Sequence, residues 1–525
     1  MPFFYIFNCC FKREKEREMR LKKLLVRAAI SAAVIVLAVS PVAADVTPSG
    51  TDSASITVTN VEHGATVKAY KIVNAEYSAA GLNGYEPASG VAIADLENPT
   101  LSEIQTVTVD IQNGALRLPV FDMIDVTPSD THSLGDGSTA CTYRSEGVGA
   151  GMYLIMVKGV SGNVYNPAIV SVGYDSSSQI TSGLLNISEG RWTVSGETAE
   201  VKHSGVTVSK DTKDGIRSYC CGDTVSYEVT AAIPGYDSSV YSDAVFRLVD
   251  TADEGLTFDK DSVSVVNAAG SQVSSANYTV SLNGQTLTVD FDSDWVLING
   301  GTSVKVCYDA TLNEGAALDF DGNYNRVKIV YSNDPTIEGG AVAYDDPENP
   351  GMPKAEAVVY TFDFSFKKVD SKDPELYLPG AVFSLTGTNS TGDTVSYTET
   401  SSENGIIHFK GLSEGTYTMT ETKAPDGYAV NRNEYTVTVS ASYGPDKTLT
   451  SYTISVSDQD GTSFMNSTYT VTPGADGSDG SIPNTAFLNL PATGGTGTVI
   501  FSLAGLTAVT AATVLLMKKR KGSEA

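Results

Sequence analysis

The sequence predicts an all-β protein made of immunoglobulin-like β-sandwiches in tandem. Thr, Val and Tyr recur with a period of two, as in Ile56-Thr57-Val58-Thr59, and the turns between such segments are rich in Gly, Asn and Asp. Asn283-Gly284 lies between two alternating segments, which is the strongest short-range signal for a β-hairpin. Between Asp45 and Thr493 the chain is long enough for about three domains of ordinary size.

Two segments are predicted to separate these domains. Residues 345–353 contain three prolines, which remove backbone donors from a β ladder, so we place a linker at 347–355. A second boundary falls near residues 197–205. The resulting units are an N-terminal β domain (45–202), a middle domain (203–346), a C-terminal domain (356–488) and a terminal signal (489–525).

The N terminus predicts export. Lys22, Lys23 and Arg27 precede an apolar run, and Val42-Ala43-Ala44 offers small residues at the positions that a signal peptidase reads. Residues 1–44 are therefore predicted to be a signal peptide, cleaved before Asp45. The residues ahead of Met19 are charged and fit no signal peptide, so Met19 is an alternative start.

The C terminus predicts a membrane anchor with a processing site. The apolar run from Val499 to Met517 is long enough to cross a bilayer as one transmembrane helix, and the basic residues 518–521 behind it favour the cytoplasmic side. The preceding pentapeptide, in this order with the span and the basic tail, resembles the LPxTG sorting signal of Gram-positive surface proteins. That resemblance implies a sortase that cleaves between Thr493 and Gly494 and transfers the Thr493 carbonyl to an amine. The pentapeptide is Leu490, Pro491, Ala492, Thr493 and Gly494.

Composition excludes several function classes. A net charge of -27 argues against nucleic acid and anionic membranes as partners. The four histidines show no metal-ligand spacing, and the sequence predicts neither a metal nor a cofactor. The cysteines beyond the signal peptide are too few for a disulfide scaffold; pairing of Cys307 with Cys220 or Cys221, and unpaired thiols throughout, both stay open. These cysteines are Cys141, Cys220, Cys221 and Cys307.

Three polar residues of the C-terminal domain are each predicted to lie on the apolar face of their own strand. They are Lys368, with Phe362, Phe364 and Phe366; Glu421, with Tyr417 and Met419; and Asn484, with Ile482. Burial of a lone ammonium costs several kcal/mol, so the lysine should lose its proton and the glutamate should gain one. A neutral amine can attack the Asn484 side-chain carbonyl, with Glu421 shuttling protons and ammonia leaving. The alternative is a buried Lys368–Glu421 salt bridge, which leaves Asn484 unexplained.

The product of this attack would be an internal isopeptide bond between Lys368 and Asn484, and a family resemblance supports it. Residues 417–428 resemble the pilin E-box, YxLxETxAPxGY, with Met419 in place of leucine. Residues 368–370 and 378–383 resemble the opening of CnaB-type (SpaA-like, prealbumin-like) domains. The resemblance implies that Lys368 and Asn484 form an internal isopeptide bond and that Glu421 catalyses it.

The middle domain repeats this pattern. Alternation places an amine, an acid and an amide on apolar faces: Lys210 with Val208, Asp250 with Leu248, and Asn325 with Val327. Residues 249–258 and 325–327 resemble the CnaA-like isopeptide-forming fimbrial domain. The resemblance implies a Lys210–Asn325 bond with Asp250 as the catalytic acid. Asn323 has the same parity as Asn325 and is an alternative for the amide.

Lys202 differs because alternation places it opposite the apolar Val201. Together with Trp192 it loosely resembles the pilin motif WxxxVxVYPK, whose lysine accepts the threonine of the next subunit. The Tyr-Pro pair is missing here and the spacing differs by one residue. Lys202 is therefore either the intermolecular acceptor or an ordinary solvated lysine.

Together the resemblances imply a SpaA-type major (backbone) pilin with a role in adhesion, exported and then anchored to the cell wall as part of a fimbrium. The implied partners are pilus-class and housekeeping sortases, other copies of the chain, ancillary pilins, peptidoglycan and host-surface ligands. The chain is not expected to be an enzyme beyond forming its own internal bonds. The alternative is a monomeric wall-anchored adhesin, or an ancillary pilin, that uses the same domains as a stalk.

Overall fold

The computed structural model describes residues 47–470 except for 97–98, 127–133, 135–138, 176–177, 189–190, 196–197, 239, 338–342, 347, 350, 371–374 and 462; for 183–188, 191–195 and 463–470 it describes the backbone alone. This part of the chain forms thirty strands and two α-helices, which confirms the all-β class. The predicted signal peptide, Asn484, the sorting pentapeptide and the 499–517 span lie outside the described residues. Within those residues, no helix combines the length and apolar character needed to cross a membrane.

The N-terminal domain contains one large sheet of ten strands and a separate two-stranded β7-β12 sheet. The strand order of the large sheet is β10-β9-β8-β6-β2-β4-β5-β1-β11, with β3 paired to β2, and β1 also packs against β8 and β9. The strands are β1 (Ser53–Glu62), β2 (Thr66–Ser78), β3 (Gly81–Pro87), β4 (Val120–Asp125), β5 (Ala140–Gly149), β6 (Gly151–Lys158), β7 (Asn163–Tyr165), β8 (Ala168–Tyr174), β9 (Ile180–Ser188), β10 (Arg191–Ser195), β11 (Ala199–Glu200) and β12 (His203–Gly205).

Helix α1 (Leu101–Gln112) was not predicted from the strand periodicity. Thr100 caps it: its side chain accepts a hydrogen bond from the Glu103 backbone N–H at 3.2 Å, and the Glu103 carboxylate accepts from the Thr100 N–H at 2.8 Å. This capping box was readable in the sequence as Thr-x-x-Glu. The helix buries Ile104 and Val107 in the domain core.

The middle domain is a two-sheet sandwich. One sheet has the order β13-β14-β19-β16 and the other β17-β18-β15-β20, with β21 and β22 also paired to β20. The predicted hairpin is present: Asn283 ends β17 and pairs with Thr286, so Gly284 and Gln285 form the connection to β18, with Gly284 at φ +57°. The elements are β13 (Val208–Thr212), β14 (Thr224–Ala232), β15 (Phe246–Ala252), β16 (Leu256–Asn267), β17 (Tyr278–Asn283), β18 (Thr286–Phe291), α2 (Ser293–Asn299), β19 (Ser303–Leu312), β20 (Asn323–Ser332), β21 (Ala343–Tyr344) and β22 (Lys354–Val359).

The C-terminal domain packs a two-stranded β23-β26 sheet on a second sheet of order β25-β24-β27-β28-β29-β30. Phe362 and Phe364 of the first sheet and Phe383 of the second meet in one core. The strands are β23 (Phe362–Lys367), β24 (Val382–Thr388), β25 (Thr394–Thr400), β26 (Ile406–Leu412), β27 (Gly415–Lys423), β28 (Glu434–Tyr443), β29 (Leu449–Ser457) and β30 (Ser463–Thr470).

Strand pairing moves two predicted domain boundaries. Strand β22 pairs along its length with β20, so residues 354–359 complete the middle domain and the C-terminal domain begins after Val359, not at residue 356. Strand β12 pairs with β7 of the N-terminal domain, which extends that domain to Gly205. Both segments follow the predicted interruptions, but their backbone hydrogen bonds reach back to the preceding domain.

Candidate functional site

The middle-domain site spans the two sheets of the sandwich. Lys210 lies on β13, opposite Val229, whereas Asp250 and Asn325 lie on the neighbouring strands β15 and β20 of the facing sheet. All three are buried, with exposed fractions of 7%, 3% and 0%. The predicted inward orientation of the amine, the acid and the amide is therefore confirmed.

Lys210 and Asp250 form a fully enclosed ion pair. Lys210 Nζ lies 2.6 Å from Asp250 Oδ1 and 2.5 Å from Oδ2. The Tyr308 hydroxyl accepts from Lys210 Nζ and donates to Asp250, and it accepts from Asn325 Nδ2 at 3.0 Å. Lys210 Nζ also lies 5.1 Å and 5.2 Å from the ring centroids of Tyr227 and Tyr308. One hydroxyl thus joins all three predicted residues.

Burial drives this pair towards its neutral form. Desolvation lowers the pKa of Lys210 to about 8, although Asp250 opposes the change. Desolvation also raises the pKa of Asp250, against the opposing effects of the Lys210 charge and its hydrogen bonds. Both directions favour transfer of the proton from the ammonium to the carboxylate, which leaves a nucleophilic amine beside an acid.

The geometry favours Asn325 over Asn323 as the amide. Asn323 is satisfied, since its Oδ1 accepts from the Ala317 N–H at 2.9 Å and its Nδ2 donates to the Ala317 carbonyl at 2.9 Å. Asn325 Oδ1 is buried and has no hydrogen-bond partner among the described residues. A carbonyl oxygen in this position is available for an acid to polarise.

Sequence reasoning missed Tyr308. The residue lies on β19, where Val304, Val306 and Ala310 alternate as buried positions. Tyr308 shares their parity, so the same count that selected Lys210 could have placed its hydroxyl in the core.

The C-terminal site brings an amine and an acid together. Lys368 Nζ lies 3.3 Å from Glu421 Oε1, with 20% of the lysine side chain and 0% of the glutamate side chain exposed. Glu421 Oε2 accepts a hydrogen bond from the Asn431 backbone N–H at 2.5 Å. The inward orientation of Glu421 is confirmed, whereas Lys368 is only partly buried.

Lys368 opens onto a pocket of about 340 Å³, lined by Phe366, Phe383, Met419 and Tyr435 among others. Strand β23 pairs with β26 on one edge, and no other described strand pairs with it. Asn484, the predicted third member of this site, lies beyond the described residues.

Lys202 is exposed, as expected for a residue opposite Val201. Its backbone is nevertheless held, because the Val201 N–H donates to the Thr59 carbonyl at 3.1 Å and the Lys202 carbonyl accepts from the Asn166 N–H at 2.9 Å. Val201 itself is fully buried. The arrangement presents an accessible amine from a fixed main chain where the N-terminal domain meets the middle domain.

None of the four cysteines in the described part of the chain forms a disulfide. Cys221 Sγ lies 3.5 Å from the Asn313 carbonyl oxygen, just beyond the end of β19. Cys307 lies five residues before Leu312 on that strand, which is about 17 Å at the rise of a β-strand. A disulfide between Cys307 and Cys221 is therefore out of reach.

Four family models match the chain. They are the T6 antigen Ig-like domain at residues 51–203, the Gram-positive pilin backbone subunit 2, Cna-B-like domain at 221–335, the SpaA prealbumin-like fold domain at 362–454, and the LPXTG cell wall anchor motif at 489–524. The model that matches the middle domain is described as Cna-B-like, where the sequence resemblance suggested a CnaA-like domain.

The trypsin-resistant surface T6 protein of Streptococcus pyogenes serotype M6 is 27% identical over 540 residues, covering 90% of this chain and 95% of that protein. Among solved structures, the T6 backbone pilin of serotype M6 S. pyogenes matches with 24% identity and a TM-score of 0.59, covering 75% of this chain and 84% of that one. The major pilin SpaD of Corynebacterium diphtheriae matches with 19% identity and a TM-score of 0.45, covering 73% and 89%.

The order of these matches follows the order of the folded domains. T6-antigen and pilin models match the three domains in turn, and the anchor model matches the end of the chain where the sorting pentapeptide lies. The chain is therefore a cell-wall-anchored surface protein of the Gram-positive backbone-pilin type.

Proposed function

We propose that the chain is the repeating subunit of a covalent pilus, in which Thr493 of one copy is joined to Lys202 of the next. The observation that carries the proposal is the anchor signal placed directly after three pilin-type domains. A sortase cysteine attacks the Thr493 carbonyl and releases the fragment that begins at Gly494. The Lys202 amine then displaces the cysteine thiolate, and at the base of the fibre a peptidoglycan amine takes this role.

Two internal bonds are proposed to strengthen each subunit. In the middle domain the neutral Lys210 amine attacks the Asn325 side-chain carbon while Asp250 hydrogen-bonds to the carbonyl oxygen. The C–N bond of the amide breaks, ammonia carries away the departing protons, and a Lys210–Asn325 isopeptide bond remains. Lys368, Asn484 and Glu421 perform the same steps in the C-terminal domain.

The position of the proposed middle-domain bond suits a fibre that is under tension. The chain enters the domain at β13 and leaves it after β22, which pairs with β20. Lys210 lies on β13, where the chain enters, and Asn325 lies on β20, next to the exit strand β22. A bond between them carries tension across the domain close to its entry and exit, so the intervening strands bear little of the load.

Western blots of cell-wall extracts boiled in SDS test the polymer. The wild-type chain should form a ladder of covalent multimers, and Lys202→Ala should reduce it to a single band. Lys213→Ala is the matched control, because Lys213 is also exposed but lies within the middle domain. Mass spectrometry of cross-linked peptides from purified fibres should place Thr493 on Lys202.

Two outcomes separate the alternatives. A single wild-type band that Lys202→Ala leaves unchanged would favour a monomeric wall-anchored adhesin. A ladder that persists in a strain lacking this chain would show that another protein forms the shaft and would favour an ancillary pilin.

A further inference from the structure

Three strands of the N-terminal domain bring together side chains that are far apart in sequence. His63 lies in the turn after β1, Asp125 is the last residue of β4, and Cys141 is the second residue of β5. Strand pairing sets this arrangement, since Val61 is opposite Cys141 and Asp125 is opposite Tyr143. The resulting cluster combines an imidazole, a carboxylate and a thiol.

The spacing of the cluster fits a metal ion. His63 Nδ1 lies 2.5 Å from Asp125 Oδ2, and one ligand atom of each of the three residues lies within 4.8 Å of the others. Tetrahedral zinc holds N, O and S ligands at about 2.0–2.3 Å, which places the ligand atoms about 3.3–3.7 Å from one another. Only small adjustments separate the two geometries.

The exposed fractions show which residue can adjust. Cys141 is 3% exposed and Asp125 has 18% of its side chain exposed, so the strands hold these two in place. The His63 side chain is 76% exposed and can rotate without disturbing the core. Two ligands are therefore fixed, and the third can close over an ion from the solvent side.

We propose that His63, Asp125 and Cys141 form a binding site for a divalent transition metal of the zinc class. Thiolate and imidazole ligands favour zinc over magnesium or calcium, which prefer oxygen ligands alone. On binding, the Cys141 thiol releases one proton to solvent and its sulfur bonds to the metal, with no change of oxidation state. A fourth position is left for water.

Such an ion would link the β1–β2 turn to β4 and β5. The N-terminal domain has no predicted lysine, acid and asparagine triplet, so the metal would give it a cross-link of another kind. These three ligands are far apart along the chain and meet only through strand pairing, so no metal-ligand spacing in the sequence predicts them. The inference does not depend on the proposed polymerisation.

Cobalt titration tests the site. The reduced, metal-free mature chain, residues 45–493, should bind one equivalent of Co²⁺ and show a thiolate-to-cobalt charge-transfer band that Zn²⁺ then removes. Cys141→Ser should abolish the band. His63→Ala and Asp125→Asn should each weaken binding at least about tenfold, the lower end of the loss seen even for outer-shell partners.

Matched controls are available in the same chain. Cys307→Ser removes a partly exposed thiol outside the cluster and His203→Ala removes another histidine, and both should leave the titration unchanged. The exposed His63 can be replaced without unfolding the domain, so circular dichroism should show an intact fold in a variant that binds metal weakly. Absence of the band, its survival in Cys141→Ser, or unchanged affinity in both His63→Ala and Asp125→Asn would overturn the proposal.

Discussion

The Tyr308 hydroxyl contacts the amine, the acid and the amide of the middle-domain site. It holds the Asn325 side chain through Nδ2 and leaves the Oδ1 atom without a partner among the described residues. At the scale of single residues this hydroxyl is the contact that orients the amide relative to Lys210. Its removal should therefore slow the proposed bond formation without removing any of the three reacting groups.

Tyr308→Phe should lower the fraction of chains that carry the Lys210–Asn325 bond, because Asn325 loses its orienting partner. Intact mass measures this fraction, since each completed bond removes one ammonia, about 17 Da. Tyr241→Phe is the control: it is another fully buried tyrosine of the middle domain, and its hydroxyl makes no hydrogen bond to another described residue. Equal masses and equal rates in the two variants would contradict the assigned role.

Lys210→Ala and Lys368→Ala should each abolish one of two ammonia losses, and the double variant should have its full calculated mass. By the chain-entropy model, a cross-link around a loop of about 100 residues contributes about 4–5 kcal/mol to the free energy of unfolding. Lys210→Ala should therefore lower the melting temperature of the middle domain markedly. A wild-type chain of full calculated mass would refute the internal bonds.

Asp250→Asn separates catalysis from the presence of the amine. The variant retains Lys210 and Asn325 but lacks the acid, so we expect no ammonia loss from the middle domain. It also leaves Lys210 without its charged partner, and removal of one member of a buried pair costs about 3–5 kcal/mol. Denaturant unfolding measures this cost, and normal ammonia loss in Asp250→Asn would contradict the assigned role of the acid.

At the scale of elements, β23 is a strand with one described neighbour and an open pocket beside Lys368. The proposed Lys368–Asn484 bond would bring the segment around residue 484 to this part of the domain. A covalent attachment of this kind would restrict opening of β23. Strand β23 is therefore a suitable place to measure whether Asn484 is bonded to Lys368.

Asn484→Ala should leave Lys368 and Glu421 as an ion pair, and the variant should lose one ammonia fewer than the wild-type chain, relative to its own calculated mass. Hydrogen exchange at the backbone amides of β23 should become faster, because the strand loses a covalently attached neighbour. Exchange in β27, which lies between two strands of the larger sheet, should change less. Unchanged exchange in β23, together with the same number of ammonia losses as in the wild-type chain, would show that Asn484 is not the partner.

At the scale of the whole molecule, a buried carboxyl pair joins the middle and C-terminal domains. Asp319 follows β19 and its N–H donates to the Thr361 carbonyl at 2.8 Å, while its carboxyl group hydrogen-bonds with that of Asp363 on β23. Asp363 in turn pairs with His408 on β26. Burial, and then the Asp363 charge, raise the pKa of Asp319 well above its usual range.

This raised pKa gives the domain contact a pH dependence of known sign. The stabilising proton is fully bound below the unfolded-state pKa of about 3.9 and is lost as pH rises through the higher folded-state pKa. Asp319→Asn supplies a permanent donor, and asparagine tolerates the positive φ of 57° at this position. The variant should raise the melting temperature at neutral pH and flatten its fall with pH.

Asp321→Asn is the control, because Asp321 lies in the same turn but is exposed. Since His408 pairs with Asp363, the comparison is repeated with His408→Ala in both backgrounds. An Asp319→Asn chain that melts at a lower temperature than wild type at neutral pH, with the same pH slope, would contradict this account.

Much of the fold and of the candidate sites was readable from local pattern. A period of two identifies strands and the direction of each side chain, which placed Lys210, Asp250, Asn325 and Glu421 on inward faces. Local pattern was weaker where another rule applied. The capping box of α1 is a helix signal that strand alternation does not contain, and the prolines before β22 mark an interruption inside the middle domain and not its end.

By itself, the sequence determined the all-β class, the cell-wall anchor motif, and which side chains point inward, because these depend on residues close together in the chain. Only the tertiary structure decided which inward side chains meet. Lys210 reaches an acid 40 residues away, Asn325 was favoured over Asn323 by contacts with other elements, and His63, Asp125 and Cys141 converge from three strands. The physical reason is that parity specifies a face of a strand, whereas the neighbours of that face depend on long-range strand pairing and sheet packing.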